Sequence, residues 1–245
     1  MSKKIEFVMG MPVIVEVDAP DYIIRRIFDY FKYIDEKFSP YKQNSEVTKI
    51  NDRRINEFDL SKEMNEILRL SKETKKLTHG YFDIYKNDMM DPSGIVKGWA
   101  IFNASKILDK FDIKNYIIEA GGDIQTKGLN NEEDKWAIGI KNPFNPKEIV
   151  KIVYLSGEGI ATSGTYERGN HIYNPKSDNP DRVDSDILSL TVIGPNVYEA
   201  DRFATAAFAM GSSGINFIDS IENLEGYMIN KKGIAAMTRG FEKYV

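Results

Sequence analysis

The 245-residue chain is 42% hydrophobic and 29% charged, enough for one substantial core or two closely packed lobes, and it reads as a single unit spanning 1–245. Its formal net charge of −4 and pI near 5.4 argue against a general nucleic-acid surface, which needs clustered Lys and Arg for its phosphate contacts. The lack of cysteine excludes disulfides, thiolate catalysis and sulfur-ligated zinc, and no stretch approaches the roughly 20 apolar residues of a membrane span.

The opening Met1 to Phe7 meets Glu6 almost at once and then Gly10 and Pro12, so no apolar signal-peptide core follows the two lysines. A cytoplasmic location is therefore expected, or an exported one if a leader has been removed. Alternating Val13, Val15 and Val17 predict a strand within Phe7 to Val17, broken by Asp18-Ala19-Pro20. Ile23, Ile24, Ile27, Phe28, Phe31, Ile34 and Phe38 recur at helical spacing and predict a core helix from Asp21 to Phe38. Ser39-Pro40-Tyr41 ends it, and the stretch to Asn51 has too few apolar residues for a buried element. Ser61 is the expected N-cap of a second helix carrying Met64, Ile67, Leu68, Leu70 and Leu77, closed by His79-Gly80. A third helix, with Val96, Ala100, Ala104, Ile107, Leu108 and Phe111, starts just after Pro92-Ser93-Gly94.

Strands dominate next: Asn115–Glu119, Trp136–Lys141, Val150–Leu155 and Leu188–Ile193. Several follow one another without an intervening helix, which favours an antiparallel or mixed sheet over repeated βαβ winding. A fourth helix runs from about Val197 to Met210, and Gly226–Asn230 with Ile234–Met237 form a closing hairpin.

Four stretches have chemical potential. Gly159 to Gly164 reads as a phosphate-handling loop in which backbone N–H groups and the Thr162 and Ser163 hydroxyls converge on an anion, or as an ordinary turn. His171 follows it and is the best acid–base group on offer, since His79 is the other histidine in the chain. Asp201 and Thr205 lie four residues apart on one face of the fourth helix, where Asp201 needs a hard cation, other donors, or a role capping the helix start. Asp91 to Gly98 sets an acid before a turn and Lys97 in the first turn of a helix, an arrangement that attracts phosphate; a solvated lysine is the plain alternative. Tyr81-Phe82-Asp83 offers two aromatic faces and a carboxylate, and Met9 and Tyr41 are open to either a core or a binding role.

Taken in order, these motifs resemble the ApbE-like flavin transferases. Phe7 to Gly10, Phe38 to Tyr41 with Ser45 and Asn51, Gly80 to Asp83, Asp91 to Gly98, Gly121-Gly122-Asp123, Ala161 to Gly164, His171-Ile172 with Pro175, and Ala200-Asp201 with Thr205 look like the family's motifs. The resemblance implies a two-lobed α/β (α+β) fold of mixed or antiparallel sheets flanked by helices, with FAD in the cleft between lobes. It implies FAD contacts from Met9, Tyr41, Tyr81, Phe82, Asp83, Asp91, Lys97 and Ile172, and Mg²⁺ held by the Gly94 carbonyl, Asp201 and Thr205. The implied reaction moves FMN from FAD to a Thr or Ser hydroxyl of a client protein and releases AMP. Thr162, Ser163 and Lys97 would share the phosphate load, with His171 as general base. FAD hydrolysis to FMN and AMP, or FAD binding without cleavage, are the competing readings. Tyr85, Phe102, Asn174, Ser177 and Asp178 depart from the family pattern.

Overall fold

The computed structural model describes residues 1–164, 174–176 and 186–245. The chain opens with a hairpin of β1 (Ser2–Val8) and β2 (Met11–Val17), where the alternation predicts one strand from Phe7 to Val17. The break is Met9-Gly10, with φ of 56° and 70°. Two left-handed residues in a two-residue turn match the twist of an antiparallel pair, and Val8 faces Met11 across it.

Helix α1 (Asp21–Phe38) has the predicted bounds and buries the predicted stripe. Each such side chain contributes about 1.5–3 kcal/mol of transfer free energy, so the stripe fixes which face meets the sheet. Helix α2 (Glu46–Asn51) occupies a stretch that reads as too polar for an element. Only Val47 is buried in it; the Ser45 hydroxyl accepts from the Thr48 amide at 3.0 Å, so capping specifies this helix where apolar spacing does not. Helix α3 (Lys62–Leu77) starts at the expected cap, Ser61 Oγ accepting from Met64 N at 3.1 Å. His79 and Gly80, both at positive φ, end it, and Leu77 lies exposed off its apolar side.

A small hairpin, β3 (Tyr85–Lys86) and β4 (Met89–Met90), leads to α4 (Ser93–Lys110). Strands β5 (Tyr116–Ala120) and β6 (Asp123–Lys127) are joined by Gly121-Gly122, a second two-residue turn at positive φ. Next come β7 (Trp136–Asn142), β8 (Asn145–Leu155), β9 (Gly159–Gly164) and β10 (Ile187–Gly194). Helices α5 (Val197–Ala209) and α6 (Gly214–Asp219) precede the closing hairpin β11 (Glu225–Asn230) and β12 (Ala235–Met237).

One eight-stranded sheet, in the order β1-β2-β5-β6-β9-β10-β11-β12, carries the fold, and its described pairings are all antiparallel. On one face α1 and α4 bury Val13, Val15, Phe31 and Ala100, while α5 and α6 bury Ala161, Leu190, Phe203 and Phe208. The expected lobes are thus two halves of one sheet, and they meet where α4 packs on α5. The β7–β8 hairpin covers the other face with Trp136, Ile138 and Val153 against Ile124, Ile160 and Ile193. Among the described residues, no helix is long and apolar enough to cross a membrane.

Candidate active site

The seam between α4 and α5 is where polar groups enter the core. Gly98 makes this approach feasible: a Cβ there would lie 2.6 Å from Asp201 Cβ and 2.9 Å from the Val197 carbonyl oxygen. Across the seam the Gly98 amide donates to Asp201 Oδ2 at 2.8 Å. In a regular helix that amide serves the carbonyl four residues earlier, which is Gly94.

Asp201 does not cap its helix. Asn196 does, its side chain accepting from the Glu199 amide at 3.0 Å, and Asp201 sits a turn further in with 3% of its surface exposed. Its other oxygen, Oδ1, lies 3.5 Å from Lys97 Nζ. The same ammonium contacts Asp123 Oδ2. Asp123 is the first residue of β6, 1% exposed, and its Oδ1 accepts from the Thr162 amide at 3.4 Å. Burial pushes the Asp123 carboxyl above the ordinary range; Lys97 pulls it back and the Asp201 carboxylate adds to the rise. Lys97 is therefore no solvated lysine: it bridges two buried carboxylates, one from strand β6 and one from helix α5.

Gly94 lies beside Thr205, since a Cβ on Gly94 would stand 3.5 Å from Thr205 Cγ2 and 4.0 Å from its Oγ1. The Phe82 ring walls the same spot, its Cε2 also 3.5 Å from that point, and Phe82 is buried. Asp201 and Thr205 lie one turn apart on α5, with Gly94 beside Thr205, and carboxylate, hydroxyl and carbonyl oxygens are the hard donors that suit Mg²⁺. Among the described residues, no group of three or more His, Cys, Asp or Glu stands together, so a cation at this seam has to draw on neutral oxygens as well.

Lys97 also faces a cleft of about 430 Å³ lined by Met9, Gly10, Pro40, Tyr41, Asp91 and Val96 among others. Tyr41 is 93% exposed at its rim. Asp91 turns the chain into α4, its Oδ1 accepting from the Ser93 amide at 3.0 Å. Asn51 fixes the preceding strand, donating to the Met90 carbonyl at 2.9 Å and accepting from its amide at 2.8 Å. Of the residues singled out in the sequence, Met9, Tyr41, Asp91 and Lys97 share this cleft. Tyr81 and Asp83 lie outside its lining: Asp83 pairs with Lys75 at 2.5 Å and Tyr81 lies under the Lys176 ammonium, 4.6 Å from the ring centre.

The stretch Gly159 to Gly164 is a strand, not a loop. Pairing to β10 along its length, and to β6 through Gly159 and Ile160, commits much of its backbone to the ladder. Gly159 serves helix packing: a Cβ there would fall 1.9 Å from the Val197 amide nitrogen at the start of α5. The pleat also divides the two hydroxyls. Ser163, two residues from Ala161 and so on its side of the sheet, faces the helices, whereas Thr162 faces the β7–β8 side, its Oγ1 2.8 Å from Thr191 Oγ1. Thr162 lines a second hollow of about 370 Å³ with Ile14, Ile117 and Trp136. His171 and Ile172 lie outside the described residues.

The Gly121-Gly122-Asp123 motif by itself assigns no role to Asp123. The available signal was strand alternation after a tight turn, Asp123 and Gln125 against Ile124 and Thr126, which puts a carboxylate on the helix-covered face.

The family model described as the ApbE family matches residues 9–91 and 84–228. A relative from Escherichia coli (strain K12), named FAD:protein FMN transferase, is 29% identical over 153 residues, 59% of this chain and 43% of that protein. One from Haemophilus influenzae with the same name is 29% identical over 172 residues, 66% of this chain and 48% of that protein. The match thus spans less than half the length of these curated relatives. Among solved structures, the flavin transferase ApbE from Vibrio cholerae has a TM-score of 0.86 at 20% identity, covering 100% of this chain and 99% of that one. The ApbE protein from Thermotoga maritima has a TM-score of 0.86 at 23% identity, covering 99% and 98%. At these identities the structural likeness shows the fold.

Proposed function

The chain belongs to the ApbE family, and from that premise we propose that it is a Mg²⁺-dependent FAD:protein FMN transferase acting on a Thr or Ser hydroxyl of a client protein. The observation that carries this reading is the position of Lys97, which faces the cleft of Met9, Tyr41 and Asp91 and touches both buried carboxylates of the α4–α5 seam. A substrate diphosphate lying in the cleft would meet the start of α4 and the Lys97 ammonium together.

In the proposed reaction the client hydroxyl oxygen attacks the FMN-side phosphorus of FAD. The P–O bond to the bridging oxygen breaks, AMP leaves with that oxygen, and FMN stays on the client as a phosphoester. The hydroxyl proton passes to His171, the general base of this reading, an assistance typically worth about 10²–10⁴ in rate. Asp201, Thr205 and the Gly94 carbonyl would hold Mg²⁺. When bound, Mg²⁺ supplies charge neutralisation for the diphosphate and the departing oxygen. Met9, Tyr41 and Asp91 would seat FAD, Phe82 would hold the Gly94–Thr205 wall, and Tyr81, Asp83 and Ile172 would complete the binding surface. Ser163 faces the helix side with Asp123, the face on which a phosphate contact would fall.

The test is incubation of the chain with FAD, Mg²⁺ and a flavin-acceptor domain, following acceptor mass and AMP release, beside a His171→Ala variant. An acceptor mass gain equal to FMN, dependent on metal and lost in the variant, is expected. Free FMN with unmodified acceptor would replace the transferase by a hydrolase, and intact FAD by a binding module.

A further inference from the structure

We propose that Lys97 and the divalent cation compete for Asp201, and that Asp123 is the positioning residue that decides how strongly; this rests on the cation site proposed above. Each carboxylate has one oxygen tied by a backbone amide and the other turned to Lys97. Asp201 Oδ2 accepts from Gly98 N at 2.8 Å while Oδ1 lies 3.5 Å from Nζ; Asp123 Oδ1 accepts from Thr162 N at 3.4 Å while Oδ2 contacts Nζ. The carboxylates come from α5 and β6, so neither is free to swing with the other.

The side chains of Lys97, Asp123 and Asp201 are 14%, 1% and 4% exposed. In such surroundings like charges are poorly screened. An ammonium 3.5 Å from Asp201 Oδ1 therefore opposes a dication on the same carboxylate. The closer contact to Asp123 gives the ammonium a second place to stay, so Asp123 draws it off Asp201 and eases cation entry. Without Asp123 the ammonium loses its closer carboxylate and leans more on Asp201, so the competition sharpens. The cleft supplies a further exit: a diphosphate there that attracts Lys97 removes the competitor, which couples anion and cation binding in the same direction.

The experiment is a Mn²⁺ titration of the full chain without FAD, read by the loss of the free-ion electron paramagnetic resonance signal, on wild type, Lys97→Met, Asp123→Asn, the double variant and Asp201→Asn. Lys97→Met is expected to tighten Mn²⁺ binding about tenfold, the order of coupling seen between neighbouring charged groups. Asp123→Asn should weaken it, and adding Lys97→Met to Asp123→Asn should give a larger gain than Lys97→Met alone. A merely structural role for Asp123 would weaken binding too but would leave the gain from Lys97→Met the same in both backgrounds, and an equal gain overturns the positioning role. If Lys97→Met fails to fold because Asp123 is left buried without its cation, the double variant against Asp123→Asn makes the same comparison without that charge. Unchanged or weaker binding on removal of Lys97, with Asp201→Asn abolishing binding, overturns the competition and leaves the cation site standing. Undiminished binding by Asp201→Asn overturns the cation site itself.

Discussion

The Gly98 amide donates to Asp201 Oδ2 at 2.8 Å although the two residues are 103 positions apart. That bond joins the two halves of the helix face and holds a buried carboxylate where α4 packs closely on α5. Gly98→Ala should therefore separate the helices. Its Cβ would meet Asp201 Cβ at 2.6 Å and the Val197 carbonyl at 2.9 Å, neither of which is a flexible chain end. Overpacking of this kind costs about 1–3 kcal/mol, more than the helix propensity gained by alanine. Urea denaturation should show the loss, and Mn²⁺ titration should show weakened binding as Asp201 shifts.

Met9 stands at φ 56° in the β1–β2 turn and also lines the cleft. A non-glycine side chain in that conformation costs roughly 1–2 kcal/mol, a strain that local function can justify. Met9→Gly should raise thermal stability, by at most about 1 kcal/mol once the added freedom of the unfolded chain is counted, and lower FAD affinity. Fluorescence titration with FAD and a melting curve measure the two effects; unchanged affinity would remove Met9 from the binding surface.

Thr162 and Ser163 are neighbours with opposite outlooks. Thr162→Val removes the 2.8 Å partner of buried Thr191 Oγ1 and should lower stability by about 1–2 kcal/mol with FAD affinity retained. Ser163→Ala should do the reverse, leaving the melting temperature near wild type and weakening FAD. Parallel melts and FAD titrations check the contrast, and equal effects on affinity would mean that the pleat does not sort the two roles.

How much of this was legible depended on whether the signal was local. The α1 stripe and the Ser61 cap are written in consecutive residues, and both elements stand where predicted. The Met9-Gly10 turn was hidden because Phe7 to Val17 alternates without a strong turn pair, and α2 was hidden because a cap and one buried valine replaced an apolar stripe. Gly159 to Gly164 misled for a related reason: glycine and hydroxyl residues are common in loops, and here the glycine was required by α5, which lies far along the chain.

By itself, then, the sequence determined the four long helices, a sheet not built by repeated βαβ winding and the order of motifs, because hydrophobic periodicity, capping and turn chemistry act over a few residues. Only the tertiary structure decided that Lys97, Asp123 and Asp201 share one buried cluster, that Asn196 and not Asp201 caps α5, and that Thr162 and Ser163 part company. Those facts follow from strand order and from the approach of α4 to α5, and burial then makes each displaced charge or hydroxyl find its partner across the fold.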